Sequence, residues 1–297
     1  MPELPEVEVV RAGLEPAVTG ASVASVTVFD ERSLRRHPGP SEDFIDRMTG
    51  RAFASAERRG KFLWLPLAPL SGQEPVEGLV VHLGMSGQVL LRDRATDDNL
   101  TRIRLELEHP VHGELRLNFV DQRIFGSMAI DELGATPDQP TQVVPYAVAH
   151  IARDPLDPFF DDRLFFARLA KRNSGIKRAL LDQTLISGIG NIYADESLWA
   201  AKIHYDQPAS SLSKARATLL LAEVRLVLAK ALGEGGTSFD AQYVNVNGAS
   251  GYFSHSLYAY GQQGKECPRC GRPIVREQFM NRGSHFCPFC QKLRPVA

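Results

Sequence analysis

The sequence predicts an α+β multidomain chain in three parts: an antiparallel β-sandwich carrying an N-terminal helix, a helical second half, and a short C-terminal β-hairpin organised by cysteines. Three observations lead there. Residues 22–91 break into short runs rich in Val, Phe and Leu, separated by Gly, Pro and Ser clusters, which is the composition of strands and turns. Beyond a proline-rich stretch, the apolar positions recur at helical spacing. All four cysteines fall between residues 267 and 290.

Taken in order, residues 6–14 (EVEVVRAGL) place Val7, Val10 and Leu14 on one helical stripe, and the helix is expected to end near Gly20. Strands are expected at residues 23–29, 61–67 and 79–83. Residues 101–107 (TRIRLEL) and 114–120 (ELRLNFV) alternate strictly, and the HPVHG between them makes a hairpin. These elements define a first domain over residues 1–133. Residues 134–158 (with PDQP, VVPY and RDPLDP) lose periodicity and have the composition of a linker. The helical domain, residues 159–262, carries 3.6-type spacing at residues 165–171, 176–183, 191–200 and 213–232, and Gly-Glu-Gly-Gly stops the last helix. Residues 263–297 form the cysteine hairpin.

With 297 residues and 43% hydrophobic content, the chain can bury two cores plus an appendage. No apolar run reaches the roughly 18 to 20 residues of a membrane span, and the acidic N-terminus lacks the features of a secretory signal. A reducing, cytoplasmic location without a membrane partner is the expectation. The net charge of −1 argues against a nucleic-acid partner until its distribution is considered. Residues 261–297 hold seven Lys or Arg against two acidic residues, and residues 166–182 hold five against one. Residues 131–163 carry seven acidic against two basic. A neutral total therefore conceals basic segments.

Cys267-Pro-Arg-Cys270 is followed, after sixteen intervening residues, by Cys287-Pro-Phe-Cys290. Two C-x₂-C knuckles at this separation match a tetrathiolate zinc site, and four protein ligands leave no open position for chemistry. One structural Zn²⁺ is expected, with His285 outside the tetrad as a surface residue and Arg276 and Arg282 towards the hairpin tip.

The N-terminus, Met1-Pro2-Glu3-Leu4-Pro5-Glu6, has a different chemistry. Removal of Met1 would leave Pro2 with a secondary amine, and an α-amino group with a pKa of roughly 7.7 to 8 is partly unprotonated near neutral pH. Its attack on an aldehyde-level carbon gives a cationic iminium, an electron sink for elimination, with Glu3 and Glu6 beside it for proton transfer. The same residues also describe a stiff terminus with acids favouring a helix start.

Other stretches keep two readings when taken alone. In the segment from Asp182 to Asn191, a helix ends, a glycine-punctuated turn follows, and Asn191 is placed to cap the next helix, whose free N–H groups suit a phosphate. Lys177 and Arg178 upstream favour an anion. Arg58-Arg59-Gly60-Lys61 precedes a strand. His82-Leu-Gly-Met-Ser-Gly87 and Asp121-Gln-Arg-Ile-Phe-Gly126 set Met85, Arg123 and Phe125 in glycine-flanked loops, where apolar wedges and arginines can open a base stack.

Together, PELPEVEVV, Lys61, HLGMSG, DQRIFG, the segment LLDQTLISGIGNIYADESL ending at Leu198, YVN at residues 243–245 and the four-cysteine finger resemble the bacterial formamidopyrimidine-DNA glycosylase family, in the same order from Met1 to Lys292. The resemblance implies a sandwich with flanking helices, a helix-two-turn-helix domain and a zinc finger, with DNA between the halves. It implies a bifunctional glycosylase and AP lyase that removes 8-oxoguanine and formamidopyrimidines from damaged double-stranded DNA, acting as a monomer in the bacterial cytoplasm at the nucleoid. Pro2 would attack C1′ and permit β- and δ-elimination. Glu3 would be the acid or base of ring opening, and Lys61 would contact phosphate and support catalysis. Met85, Arg123 and Phe125 would fill the gap left by the flipped nucleotide. Asn191 and, beside the catalytic set, Arg282 would grip phosphate, with His82, Lys177 and Tyr258 among the DNA contacts. Glu6 and the loop containing Tyr243 would enclose the everted base.

Two positions depart from the family pattern. Ile124 stands where a basic residue is common, and Arg178 where proline is common. Two other functions fit parts of the sequence: the endonuclease VIII branch, acting on oxidised pyrimidines, and a non-catalytic zinc-finger DNA-binding protein. The PELPE start favours the purine branch, and a protein that only binds has no need of Pro2, Glu3 and Lys61.

Overall fold

The computed structural model describes residues 2–69, 76–237 and 253–295; Tyr243 and the rest of the loop expected around the everted base lie outside them. Two units emerge. The first holds the described residues up to His150 together with Thr237, and the second runs from Ile151 to Gly236 and resumes at residue 253.

In the first unit, α1 (Leu4–Val18) is followed by eight antiparallel strands and one short helix before the last strand: β1 (Ser22–Val28), α2 (Ser41–Met48), β2 (Glu57–Arg59), β3 (Phe62–Leu67), β4 (Glu77–His82), β5 (Gly87–Arg92), β6 (Thr101–His109), β7 (Gly113–Asp121), β8 (Ser127–Ala135) and β9 (Val143–Pro145). They form a four-stranded sheet, β1-β6-β7-β5, and a five-stranded sheet, β2-β3-β4-β8-β9. The inward-facing residues of both sheets, among them Leu63, Leu65, Leu79, Val81, Leu105 and Phe119, join Val7, Val10 and Leu14 of α1 in one apolar cluster. This is the sandwich the alternating sequence predicted. The β6–β7 hairpin is present as expected, with Leu105 opposite Leu117.

Two departures have local causes. Residues 41–48 lie between the expected strands 23–29 and 61–67, where no helix was expected, yet they form α2, because Phe44 and Met48, four apart, both turn into the core. Acids in its first turn and Arg47 in its last suit the helix dipole. Residues 143–145 pair with Leu133, Gly134 and Ala135 of β8, so the start of the proline-rich stretch belongs to a sheet, and the division between units follows His150.

The second unit contains α3 (Asp162–Leu169), α4 (Ile176–Leu181), α5 (Asn191–Ala200), α6 (Lys214–Gly233) and a two-stranded hairpin, β10 (Val275–Phe279) and β11 (Arg282–Phe286). Helix α5 packs on α6, α4 and β11. It is buried nearly throughout, from Ile192 to Trp199, which explains its lack of a polar face.

The interior position of α2 makes its contribution measurable. Phe44→Ala removes a fully buried ring and should lower the stability of the first unit by about 3–5 kcal/mol in urea denaturation, whereas Ile45→Ala, at a partly buried position, should cost less.

Candidate functional site

Pro2 and Glu3 are both buried at the head of α1. Glu3 occupies the N-cap, and its N–H donates to Oε2 of Glu6 at 2.8 Å. The other oxygen of Glu6 accepts from the N–H and hydroxyl of Thr237, at 2.8 and 2.9 Å. One buried carboxylate thus fixes the residue after Pro2 and also the chain 231 positions downstream. Helix α1 is further tied to the β2–β3 hairpin: Arg58 donates to Glu8 at 2.8 Å, and Arg11 to the Ala56 carbonyl at 3.1 Å. That hairpin turns at Gly60, and Lys61 follows at the turn.

His82 ends β4, its ring 5.3 Å from that of Phe62, the residue after Lys61. Its Nδ1 accepts the Gly84 N–H at 3.1 Å, which leaves the proton on Nε2. Burial, with Arg36 and Arg35 close by, pulls the imidazole down to about 4. At neutral pH His82 is therefore an uncharged hydrogen-bond donor.

The loops after β4 and β7 both cross from one sheet to the other. They run side by side, because His82 of β4 pairs with Ser127 of β8 and Gly87 of β5 with Asp121 of β7. Met85, Arg123 and Phe125 are exposed on these loops, Met85 by 47% and Phe125 by 48%. Their backbone, by contrast, is held. Asp121, fully buried, accepts from the Ser86 hydroxyl at 2.5 Å and from the N–H groups of Arg123 and Gly126 at 3.0 and 2.6 Å. A Cβ on Gly84, whose φ is +65°, would stand 2.5 Å from the Phe125 carbonyl carbon, so only glycine lets the two loops touch. Between Arg123 and Phe125, Ile124 has φ +57°, a conformation costing a β-branched residue about 1–3 kcal/mol.

In the second unit, α4 ends at Leu181 and the turn to α5 is stapled by Gln183. Its Oε1 accepts from Gly188 N–H, and its Nε2 donates to the carbonyls of Leu181 and Ile189, all at 3.0 Å. Gly190, not Asn191, sits at the cap of α5. Asn191 instead points Nδ2 at the Gly283 carbonyl, 3.2 Å away, next to Arg282 at the start of β11.

Lys177 differs most from the sequence expectation. It is fully buried, its ammonium 2.7 Å from Asp195 Oδ1, and it donates to Ser284 Oγ at 2.8 Å and to the same Gly283 carbonyl at 3.1 Å. Its charge is used inside the protein, which departs from the phosphate contact expected of it. His285, expected at the surface, is buried too: its N–H and Nδ1 lie 2.9 and 3.1 Å from Asp195 Oδ2. The hairpin carrying Arg282 is therefore bound to α4 and α5 by ions the spacing of charges does not reveal. Arg276 lies farther from the tip, opposite His285.

Tyr258 is 44% exposed, and its ring stacks on Trp199 at 4.6 Å. Arg269 lies 3.7 Å over Trp199, and Lys230 lies 5.4 Å from the Tyr258 ring. Beneath them, buried Glu196 accepts the N–H groups of Tyr258, Ala259 and Tyr260 at 2.8 to 3.0 Å, and burial raises its carboxyl above the usual range. The Sγ atoms of Cys267, Cys270, Cys287 and Cys290 lie within 4.8 Å of one another. Zinc–sulfur bonds of about 2.3 Å in a tetrahedron need sulfur separations near 3.8 Å, so the donor set fits zinc. Burial and the neighbouring thiols push Cys290 up to about 12, and a cation at the centre relieves that crowding.

Within the first unit the structure sets Glu3 and Glu6 on one helix end, and Met85, Arg123 and Phe125 on adjoining loops; within the second it gathers Lys177, Asn191 and the Arg282 strand at Gly283. Sequence reasoning missed Arg35, Asp121 as an acceptor, Asp195 and Glu196. Asp121, Asp195 and Glu196 lay inside the quoted motifs, but nothing in a linear pattern marks a carboxylate as buried.

Family profiles match the chain in three consecutive segments: the formamidopyrimidine-DNA glycosylase N-terminal domain over residues 1–128, the formamidopyrimidine-DNA glycosylase H2TH domain over residues 151–242, and a zinc finger found in FPG and IleRS over residues 264–293. A formamidopyrimidine-DNA glycosylase of Leifsonia xyli is 64% identical over 301 residues, covering 99% of this chain and 100% of its own. Among solved structures, a complex of wild-type Lactococcus lactis Fpg (MutM) with DNA containing N7-benzyl-Fapy-dG superposes with a TM-score of 0.83 at 32% identity, covering 98% of this chain and 100% of that one. A complex of the same organism's Fpg with abasic-site DNA gives 0.81 at 30% identity, covering 98% and 99%. The third profile and the cysteine geometry together establish one structural zinc ion.

The lowered imidazole of His82 fixes a pH dependence. The unfolded chain binds a proton at His82 below about 6.5 while the folded chain does not until about 4, so acidification through that window favours unfolding. His82→Gln should accordingly lose less melting temperature than the parent between pH 6.5 and 4.5. For the buried ion pair, Lys177→Met should destabilise the second unit by about 3–5 kcal/mol in denaturation, since it leaves Asp195 without that cation. Lys177→Met/Asp195→Asn should recover much of the loss; unchanged stability in the single variant would contradict the structural role.

Proposed function

The chain belongs to the formamidopyrimidine-DNA glycosylase family and is a DNA glycosylase of base excision repair with damaged DNA as its partner; on that premise we propose that it excises oxidised purines through the amine of Pro2. The observation that carries this reading is the buried pair Pro2-Glu3 at the head of α1, held by the bond from Glu3 N–H to Glu6.

Once Met1 is removed, the Pro2 nitrogen has a lone pair. Its attack on C1′ forms a C–N bond while the glycosidic bond breaks and the base leaves with the bonding electrons and a proton. Glu3 supplies acid or base assistance as the sugar ring opens and the ring oxygen gains a proton. The resulting iminium acidifies C2′, so loss of that proton expels the 3′ phosphate, and a second elimination expels the 5′ phosphate. Lys61, His82, Asn191, Arg282 and Tyr258 are proposed as DNA contacts. The neutral Nε2–H of His82 and the cations of Lys61 and Arg282 suit phosphate oxygens. Met85 and Phe125 are proposed as wedges and Arg123 as the residue facing the orphaned cytosine, supported by exposed side chains on a fixed backbone. Glu6 is proposed to support the base-enclosing region through Thr237. Lys177 is assigned no DNA contact, because its ammonium is buried.

We further propose a monomer working in the cytoplasm at the nucleoid. No helix among the described residues is long and apolar enough to cross a membrane, and the thiols of the zinc site require a reducing compartment.

Borohydride reduction of Met1-processed protein with an 8-oxoguanine:C duplex should trap a covalent adduct that maps to Pro2. Pro2→Gly should leave DNA affinity largely intact and cut strand scission by at least about a hundredfold. An adduct elsewhere, or none, contradicts the mechanism, and faster excision of oxidised pyrimidines than of 8-oxoguanine would move the protein to the other branch.

A further inference from the structure

Arg35 follows the short 3₁₀ turn Glu31–Leu34 and is exposed. Its guanidinium reaches three successive carbonyls some ninety positions downstream. Nη1 donates to Ile124 O at 2.9 Å and to Gly126 O at 2.8 Å, and Nη2 donates to Phe125 O. The three consecutive carbonyls converge on this one cation in a bend where Ile124 adopts φ +57°, outside the regions ordinary for a β-branched residue. Asp121 performs the complementary task, accepting the N–H groups of Arg123 and Gly126. Donors and acceptors of the loop are thus each collected by one charged side chain, and Phe125 is left 48% exposed.

We propose that Arg35 is a positioning residue for the wedge loop: its planar fork gathers the Ile124, Phe125 and Gly126 carbonyls, holds Ile124 in its left-handed conformation and so presents Phe125 outward before DNA arrives. This rests on the proposed wedge role of Phe125. The fork matters more than the charge, because a lysine ammonium is a single point and cannot span three carbonyl directions. Pre-organisation places the cost of ordering the loop in folding, so it is not charged to base extrusion.

The test uses the full-length, zinc-loaded protein with Arg35→Ala, Arg35→Lys, Phe125→Ala and Arg35→Ala/Ile124→Gly. Hydrogen exchange on the free protein reads the clamp directly: the Arg123 and Gly126 amides should exchange at least about tenfold faster in both Arg35→Ala and Arg35→Lys, with the melting temperature little changed. Unchanged exchange overturns the proposal whatever happens on DNA. Single-turnover excision with 2-aminopurine beside an 8-oxoguanine:C pair should slow about tenfold or more in both variants, while borohydride trapping on an abasic site in single-stranded DNA stays at the parent rate. Ile124→Gly should recover part of the loss in the Arg35→Ala background, since glycine needs no clamp to hold φ positive. If Arg35→Lys behaves like the parent and only Arg35→Ala loses affinity, with the salt dependence of binding reduced by about one phosphate, Arg35 is a phosphate contact and the proposal fails. Phe125→Ala separates the two layers. Normal extrusion in that variant, with accelerated exchange in Arg35→Ala, removes the wedge reading and leaves the clamp as a property of the loop.

Discussion

A side chain that must enter a base stack has to remain in water until DNA arrives, so burial cannot position it. The backbone beneath has to be fixed instead, by polar bonds that survive competition with solvent. On the proposed wedge role of Met85 and Phe125, this constraint accounts for the build of the β4–β5 and β7–β8 crossovers. Strand pairing brings them side by side, Gly84 removes the Cβ that would separate them, and Asp121 takes the Ser86 hydroxyl of the first and the Arg123 and Gly126 N–H groups of the second. Arg35 takes the carbonyls.

The same device recurs beside other side chains to which a function is proposed. Buried Glu6 accepts from Glu3 and Thr237, and Glu196 from Tyr258, Ala259 and Tyr260. Asp195 accepts from His285 while neutralising Lys177. A carboxylate buried without donors would cost several kcal/mol, so each such group demands one arrangement of the segments around it. Such sites are rigid for the same reason that they are expensive to disturb. Apolar packing of similar volume would tolerate small shifts in the presented residues; charged groups with fixed donors do not.

The sequence reading succeeded where a pattern repeats or where residue type alone carries the chemistry. Alternation in residues 101–120 gave the β6–β7 hairpin, the C-x₂-C knuckles gave the zinc site, and helical spacing gave α5 with matching ends. It failed where one side chain acts across a long span. Lys177 in a basic run reads as a surface cation, and only the fold shows Asp195 waiting 2.7 Å from it. His285 beside a complete tetrad reads as surplus, and the tertiary structure buries it on the same aspartate. Arg35 belonged to no motif, because its partners are backbone atoms, which every sequence possesses. Helix α2 was lost because eight residues offer too few turns for a period to stand out against the strands on either side.

The bond from Glu6 to Thr237 has a consequence for how the protein comes into being. The first unit is discontinuous in the chain, and residue 237 emerges from the ribosome long after the sandwich has been made. Until then the nascent helix that carries Pro2 lacks two of the donors that hold Glu6. The segment translated first is therefore among the last to be completed. Completion of the helix that carries Pro2 is tied to synthesis of the whole second unit's helical core, so a truncated translation product cannot finish the very end at which it began.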